Sequence, residues 1–197
     1  MKITLVAFKG GVGKTTSAIH IATYLSQSGP TLLVDGDPNR SATTWARPGN
    51  LPFTVLDEFS AIHHRGEFAH TIIDTKARPE KEDLEIFIRN CDYLIVPTEP
   101  DTLSLAAVVR VAKTFEAMKS NHYKILITRV PPRPSRASDD AQEFLGSSNI
   151  PQFGTYIRRF EAFRKAVDLG VPVNQVRDEH AQDGWRDYVS VCKELGL

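Results

Sequence analysis

Cysteine is scarce: the 197 residues hold only Cys91 and Cys192. Two thiols so far apart make neither a disulfide framework nor a metal-ligand spacing, and a reducing compartment is expected. Long apolar runs are missing as well. None approaches the roughly 20 residues that cross a bilayer, so the chain is not expected to be integral to a membrane. The opening Met1–Phe8 resembles an export signal only as far as Lys9, where charge and glycines interrupt it, so no secretion is expected. Net charge is zero, with 24 Lys and Arg against 24 Asp and Glu. Any affinity for nucleic acid must therefore come from a local patch. No internal repeat, low-complexity tract or linker is visible. The six histidines, His63 and His64 included, lack zinc-protease spacing and are assigned no role.

What is present is the composition of a globular protein, 41% hydrophobic, with a length that predicts one domain over residues 1–197. Short apolar runs at Ile3–Phe8, Thr31–Val34, Thr71–Ile73, Tyr93–Val96 and Ile125–Thr128 show no alternating polar face. They predict buried strands of a parallel sheet covered on both sides. Amphipathic stretches at Thr15–Ser28, Glu80–Asn90, Leu103–Met118 and Ser138–Leu145 separate them, and a terminal helix is expected around Gln182–Leu195. The alternation predicts an α/β fold, a doubly wound, mostly parallel sheet flanked by helices. Gly29-Pro30 ends the first helix. Arg129–Ser138, with Pro131, Pro132 and Pro134, reads as a loop.

The most informative residues lie between the first strand and the first helix: Lys9-Gly10-Gly11-Val12-Gly13-Lys14-Thr15-Thr16. Glycines let backbone amides curl around phosphate oxygens, and the helix N-terminus favours anions. Lys14 reaches the terminal phosphates, and the Thr15 hydroxyl can ligate Mg²⁺. A nucleoside triphosphate is the natural ligand. The general phosphate-loop pattern wants glycine six positions before the lysine, where this chain has Phe8; what is met is a variant with Lys9 five positions before Lys14. Asp35-Gly36-Asp37-Pro38-Asn39 follows the second strand, and Arg40–Ala46 reads as a short helix capped by its N-terminal hydroxyl, with Trp45 in the core. Thr71–Thr75 closes a third strand on Asp74, which would hold the metal through water.

This variant resembles the deviant Walker A box of the ParA/MinD superfamily of partition and positioning ATPases, whose compact members carry no DNA-binding extension. The resemblance implies a phosphate-loop ATPase fold and ATP with Mg²⁺ as ligands. It also implies a homodimer that sandwiches ATP, with Lys9 crossing to the partner's nucleotide as an arginine finger does. The segment from Asp35 resembles switch I, which implies that Asp37 orients the attacking water and Asp35 supports the Mg²⁺ shell. Switch II departs from the family, since Lys76, Ala77 and Arg78 stand where two prolines are common. Thr128 and Arg129 would touch or wall the adenine. Pro97–Asp101 resembles the family's post-strand loop. Ile157–Ala166 followed by Gly170-Val171-Pro172-Val173 matches the segment before the family's Gly-x-Pro-Val. By that resemblance Arg158, Arg159, Arg164 and Lys165 would hold nonspecific DNA through its phosphates.

The function so implied is a cytoplasmic, nucleoid-associated ATPase. It dimerises around ATP, binds DNA and is released when a small adaptor of the ParB, ParG or McdB kind stimulates hydrolysis, segregating plasmid DNA. One alternative is positioning of a protein cargo, such as carboxysomes or chemoreceptor clusters. The other is a MinD-like membrane-cycling regulator. The tail Asp183–Leu195 argues against the latter, because it has as many acids as bases and an interfacial anchor wants Lys and Arg on its polar face.

Overall fold

Along each buried strand, successive apolar side chains point to opposite faces, and each face has its own core. Ile3 and Leu5 of β1 (Lys2–Ala7), Ile95 of β5 (Tyr93–Thr98) and Leu126 of β6 (Tyr123–Ile127) enter one cluster. Val6, Leu94, Val96, Ile125 and Ile127 enter the other. With β2 (Thr31–Asp35), β3 (Thr54–Asp57) and β4 (His70–Ala77), they form a six-stranded, all-parallel sheet in the order β3-β2-β4-β1-β5-β6. The computed structural model describes residues 1–64, 67–118, 120, 122–132 and 136–197.

The first face is covered by α1 (Lys14–Leu25), α2 (Ser41–Ala46), α7 (Glu161–Leu169) and α8 (Ala181–Glu194). The second is covered by α4 (Lys81–Asn90), α5 (Thr102–Ala117) and α6 (Ala137–Ser147). The doubly wound α/β expectation holds. Pro134 of the expected proline loop lies outside the described residues, and the loop gives way to α6 at Ala137.

Several boundaries move for identifiable reasons. β4 does not stop at Ile73 but runs on to Ala77, so Asp74 is an interior strand residue, in register with Leu5 and Asp35 on its two neighbours. Helix α1 stops at Leu25, where Ser26 and Ser28 turn their hydroxyls back onto the carbonyls of Thr23 and Leu25. The hydroxyl cap expected for α2 is not made: Arg40 occupies the N-cap at φ 51°, and its side chain makes no capping bond. Helix α7 is expected from the sequence only as a basic segment, and two further elements have no counterpart in it. Strand β3 is four half-buried residues at the sheet edge, and α3 (Glu58–His63) is capped by Asp57, whose Oδ1 accepts from Ser60 N at 2.7 Å.

A buried histidine ties the first face together. His20 of α1 is fully enclosed, stacked on Tyr188 with ring centroids 4.8 Å apart and edge-on to Phe163 and Trp45. Its Nε2 accepts from Val173 N at 3.0 Å, so Nδ1 carries the proton and donates to Thr16 O at 2.7 Å. Beside it the Tyr188 hydroxyl meets Ser17 Oγ at 3.1 Å. The helix that follows the phosphate loop is thus bolted to α8.

Burial lowers the His20 pKa to about 4, below the ~6.5 of an unfolded histidine. The unfolded chain then binds the extra proton, so this contribution to stability is complete above pH ~6.5 and is lost as the pH falls towards 4, where the folded state takes up the proton too. Urea unfolding at pH 7 and pH 4.5 should show His20 contributing a loss of about 2 kcal/mol. A folded His20→Gln variant should lack that increment; an equal pH dependence in the variant would refute the assignment.

Candidate functional site

The loop between β1 and α1 turns twice through the left-handed region, at Gly11 (φ 79°) and Gly13 (φ 81°), which glycine enters without Cβ strain. Its outer carbonyls are tied down from the β6 side. Thr128 Oγ1 donates to Val12 O at 2.7 Å and Arg129 Nη1 to Gly11 O at 2.5 Å. Thr128 and Arg129, expected at the base, brace the phosphate loop and also line the cleft beside it. The loop opens into a cleft of about 530 Å³, within the range of small-molecule sites. Gly10, Gly11, Gly13, Lys14, Thr15 and Thr16 line it, whereas Val12 is buried in the core.

At the floor, two acids meet two residues of α1. Lys14 is only 7% exposed, yet its ammonium lies 2.5 Å from Asp74 Oδ1 and 3.2 Å from Asp37 Oδ2. Thr15 Oγ1 donates to Asp74 Oδ2 at 2.6 Å. The sheet makes this meeting possible, because β2 and β4 run side by side with Asp35 opposite Asp74. Burial pushes the Asp74 carboxyl above the usual range, and Lys14 and Thr15 only partly offset it. Asp37 goes the other way: burial would raise it, but the Asn39 N–H and the Lys14 ammonium together hold it below the usual carboxylate range. The Asn39 backbone N and Nδ2 both donate to Asp37 Oδ1 at 3.0 Å, leaving Oδ2 on Lys14. Asp37 thus stays ionised, and Asn39 orients it.

Asp35 is fully buried and used differently. Its Oδ2 accepts from Thr43 N at 2.8 Å and Thr43 Oγ1 at 2.7 Å, and its Oδ1 from Asp37 N at 3.3 Å. In this structure Asp35 fixes α2 and the turn that carries Asp37. The donor set suits Mg²⁺, which keeps several waters and takes few protein ligands: Thr15 Oγ1 and Asp74 would hold it. Among the described residues no group of three His, Cys, Asp or Glu is arranged to hold a metal without phosphates.

Lys9 leaves the floor altogether. Its Nζ donates to Glu99 Oε2 at 3.0 Å, Ser104 Oγ at 3.1 Å and Asp101 Oδ2 at 3.4 Å, in the loop between β5 and the start of α5. Hydrogen bonding to Glu99 raises its pKa. The other Glu99 oxygen takes Arg129 Nε at 3.0 Å, so one carboxylate clasps cations on both flanks of the phosphate loop. The segment after Asp74 is pinned as well: Lys76 pairs with Asp83 of α4 at 2.8 Å, and Arg78, at φ 55°, donates its backbone N to Ala7 O at 2.7 Å.

Arg158, Arg159 and Arg164 of the basic segment line the same cleft as the phosphate loop, and Lys165 does not. Arg158 pairs with Asp187 at 2.7 Å, Lys165 with Asp178 at 2.7 Å, and Arg164 with both Glu161 and Asp168. Arg159 makes no ion pair among the described residues. Sequence reasoning missed Asn39, Thr43, Glu99, Ser104 and Asp187. The Pro97–Asp101 loop was the one pointer to Glu99.

Residues 3–173 match the model of the CobQ/CobB/MinD/ParA nucleotide binding domain. Maintenance of carboxysome distribution protein A of Gloeobacter kilaueensis is 32% identical over 95% of this chain and 90% of its own length. The protein of that name from Halothiobacillus neapolitanus is 26% identical over 88% and 87%, and ParA of Rhizobium radiobacter is 30% identical over 51% and 50%. Among solved structures, a Cyanothece McdA–ATP complex superposes with a TM-score of 0.78 at 17% identity, covering 100% of this chain and 97% of its own. A Borrelia burgdorferi plasmid partition protein bound to AMPPNP gives 0.76 at 16%, covering 98% of each. The match of the family model across most of the chain, on top of the loop and acid geometry, makes this protein a member of the CobQ/CobB/MinD/ParA nucleotide-binding family.

Proposed function

We propose that the chain is an ATP-dependent positioning ATPase that closes as a homodimer over ATP and Mg²⁺. The observation that carries the reading is the convergence of Lys14, Thr15, Asp37 and Asp74 at 2.5–3.2 Å below a glycine-rich loop. Lys14 and the loop amides bind the phosphates, Thr15 and Asp74 hold Mg²⁺, and Asp37 orients the water, kept ionised by Asn39 and Lys14. Mg²⁺, when bound, supplies charge neutralisation at the phosphates. Lys9 completes the partner's site after leaving Glu99, Asp101 and Ser104.

The cargo favoured is a protein body of the carboxysome kind. The carboxysome distribution relative spans 95% of this chain at 32% identity, whereas the ParA likeness spans about half. Plasmid segregation is the second reading. An adaptor of the McdB or ParB kind, nonspecific DNA as the track, and a cytoplasmic, nucleoid-associated location belong to the same proposal. A membrane track has less support, because the tail Asp183–Leu195 has no excess of bases over acids, where an interfacial anchor wants Lys and Arg on its polar face. Helix α8 buries Tyr188, Val191 and Cys192 against its own core.

Three measurements test this reading. Asp37→Ala should lower ATP turnover on the order of 10²-fold while ATP stays bound and the dimer accumulates; normal turnover would remove Asp37 from the mechanism. Sizing in ATP and Mg²⁺ against ADP should give a dimer only with ATP, and Lys9→Ala should abolish it with ATP affinity changed less than about threefold. A Lys9→Ala dimer, or a monomer of the parent protein in both nucleotides, would end the trans role. With ATP saturating, alanine at Arg159, Arg164 and Lys165 together should weaken DNA binding and flatten its salt dependence by about one unit per lost phosphate contact. An unchanged slope would place the DNA surface elsewhere.

A further inference from the structure

Arg158 neighbours Arg159, Arg164 and Lys165 in sequence, but its contacts set it apart. Its Nε donates to Asp187 Oδ2 at 3.0 Å, and its Nη2 to Asp187 Oδ1 at 2.7 Å and to Asp183 O at 3.3 Å. The Asp187 carboxylate is only 10% exposed and also accepts from Arg158 N at 3.1 Å. One face of the guanidinium lies 5.0 Å from the Phe160 ring centroid. The fork is therefore fixed by a bidentate pair. Its Nη1 amino group has no acceptor among the described residues, although the side chain lines the cleft.

Position along the cleft gives the free donors a direction. Residues 157–159 run beside 127–130, with Ile157 N donating to Ile127 O at 2.9 Å, Val130 N to Ile157 O at 3.1 Å and Arg159 N to Val130 O at 2.7 Å. The Lys14–Asp37–Asp74 cluster marks the end for the terminal phosphates. A nucleotide seated there extends its nucleoside along the remaining walls, to which Ile157, Arg158, Phe160, Phe163 and Val167 contribute. Charge distinguishes the two possible ligands of Arg158. The Arg158–Asp187 pair is neutral overall and attracts a DNA phosphate weakly. It offers a rigid, directional donor, which suits an uncharged acceptor.

We propose that Arg158 is a nucleoside-recognition residue, held by Asp187 so that Nη1 donates to an acceptor atom on the sugar or base of the bound nucleotide, and that it is not part of the DNA surface. The inference rests on the nucleotide-binding reading above. Its test compares ATP with inorganic tripolyphosphate, which has the phosphates and no nucleoside, by calorimetry on the whole chain, and follows DNA binding against salt with ATP saturating. Arg158→Met should weaken ATP binding about tenfold or more while tripolyphosphate affinity stays within twofold and the DNA salt slope is unchanged. Arg158→Lys keeps a cation beside Asp187 but loses the fork, and should show the same split if the methionine variant does not fold. Parallel losses of ATP and tripolyphosphate would make Arg158 merely structural and overturn the proposal. So would unchanged ATP affinity, or a salt slope lowered by about one. Failure of the parent protein to bind ATP would instead defeat the nucleotide reading itself.

Discussion

A buried ammonium between two carboxylates governs this molecule. Lys14, Asp37 and Asp74 are almost completely withdrawn from water, and charges in such a place are tolerated only when paired and hydrogen-bonded. One cation against two acids leaves the cluster with a surplus of negative charge. Burial answers part of that surplus by lifting the Asp74 pKa, so that a proton is easier to hold there. A divalent cation answers it more fully, with Thr15 already bonded to the same carboxylate. On the proposed reading, phosphate oxygens reaching Lys14 would compete with Asp74 for the ammonium, and nucleotide, metal and acids would settle as one unit.

Backbone geometry is what forces these acids together. Parallel pairing sets Asp35 opposite both Asp57 and Asp74, and each is then spent on a different task. Asp57 caps α3, Asp74 faces Lys14, and Asp35 holds Thr43 and the turn to Asp37. Arg40 locks the same turn from outside through the Asp35 carbonyl and Glu58. Arg40, Arg78 and Arg129 all adopt positive φ beside the cleft, a backbone state costly for non-glycine residues and concentrated at sites that must be held open or switched.

How much of this was legible in the sequence follows from the range of each interaction. The phosphate loop, the aspartates and the buried strands were readable because their signals are local: glycine where left-handed turns are needed, apolar runs where both faces are covered. Strand β3 escaped notice because four half-buried edge residues carry no such run. The continuation of β4 through Lys76 was hidden because Asp83, which holds that lysine, sits on the following helix. Glu99 on Lys9 and Asp187 on Arg158 are long-range pairs, separated by 90 and 29 positions, and only the fold brings them into contact. His20 looked idle for the same reason, since its partners come from α2, α7, α8 and the turn at Val173.

Those long-range pairs also explain how a chain of zero net charge can carry cations poised for anions. Lys9, Arg158, Arg164 and Lys165 each have an acid of their own chain within hydrogen-bond reach. Exposed pairs of this kind are worth little, so on the proposed reading Lys9 and Arg164 exchange their partners when a denser anion arrives, whereas Asp178, the partner of Lys165, is only 11% exposed. The Arg158–Asp187 pair is different: it is bidentate and largely buried, and breaking it would strand Asp187 in a dry environment. The paired cations that line the cleft therefore differ in how firmly they are held: Lys9 and Arg164 sit in exposed pairs, and Arg158 in a bidentate pair with a buried acid. Phosphate charge can recruit the first group, while the second can only be matched by a ligand shaped to the donors it leaves free.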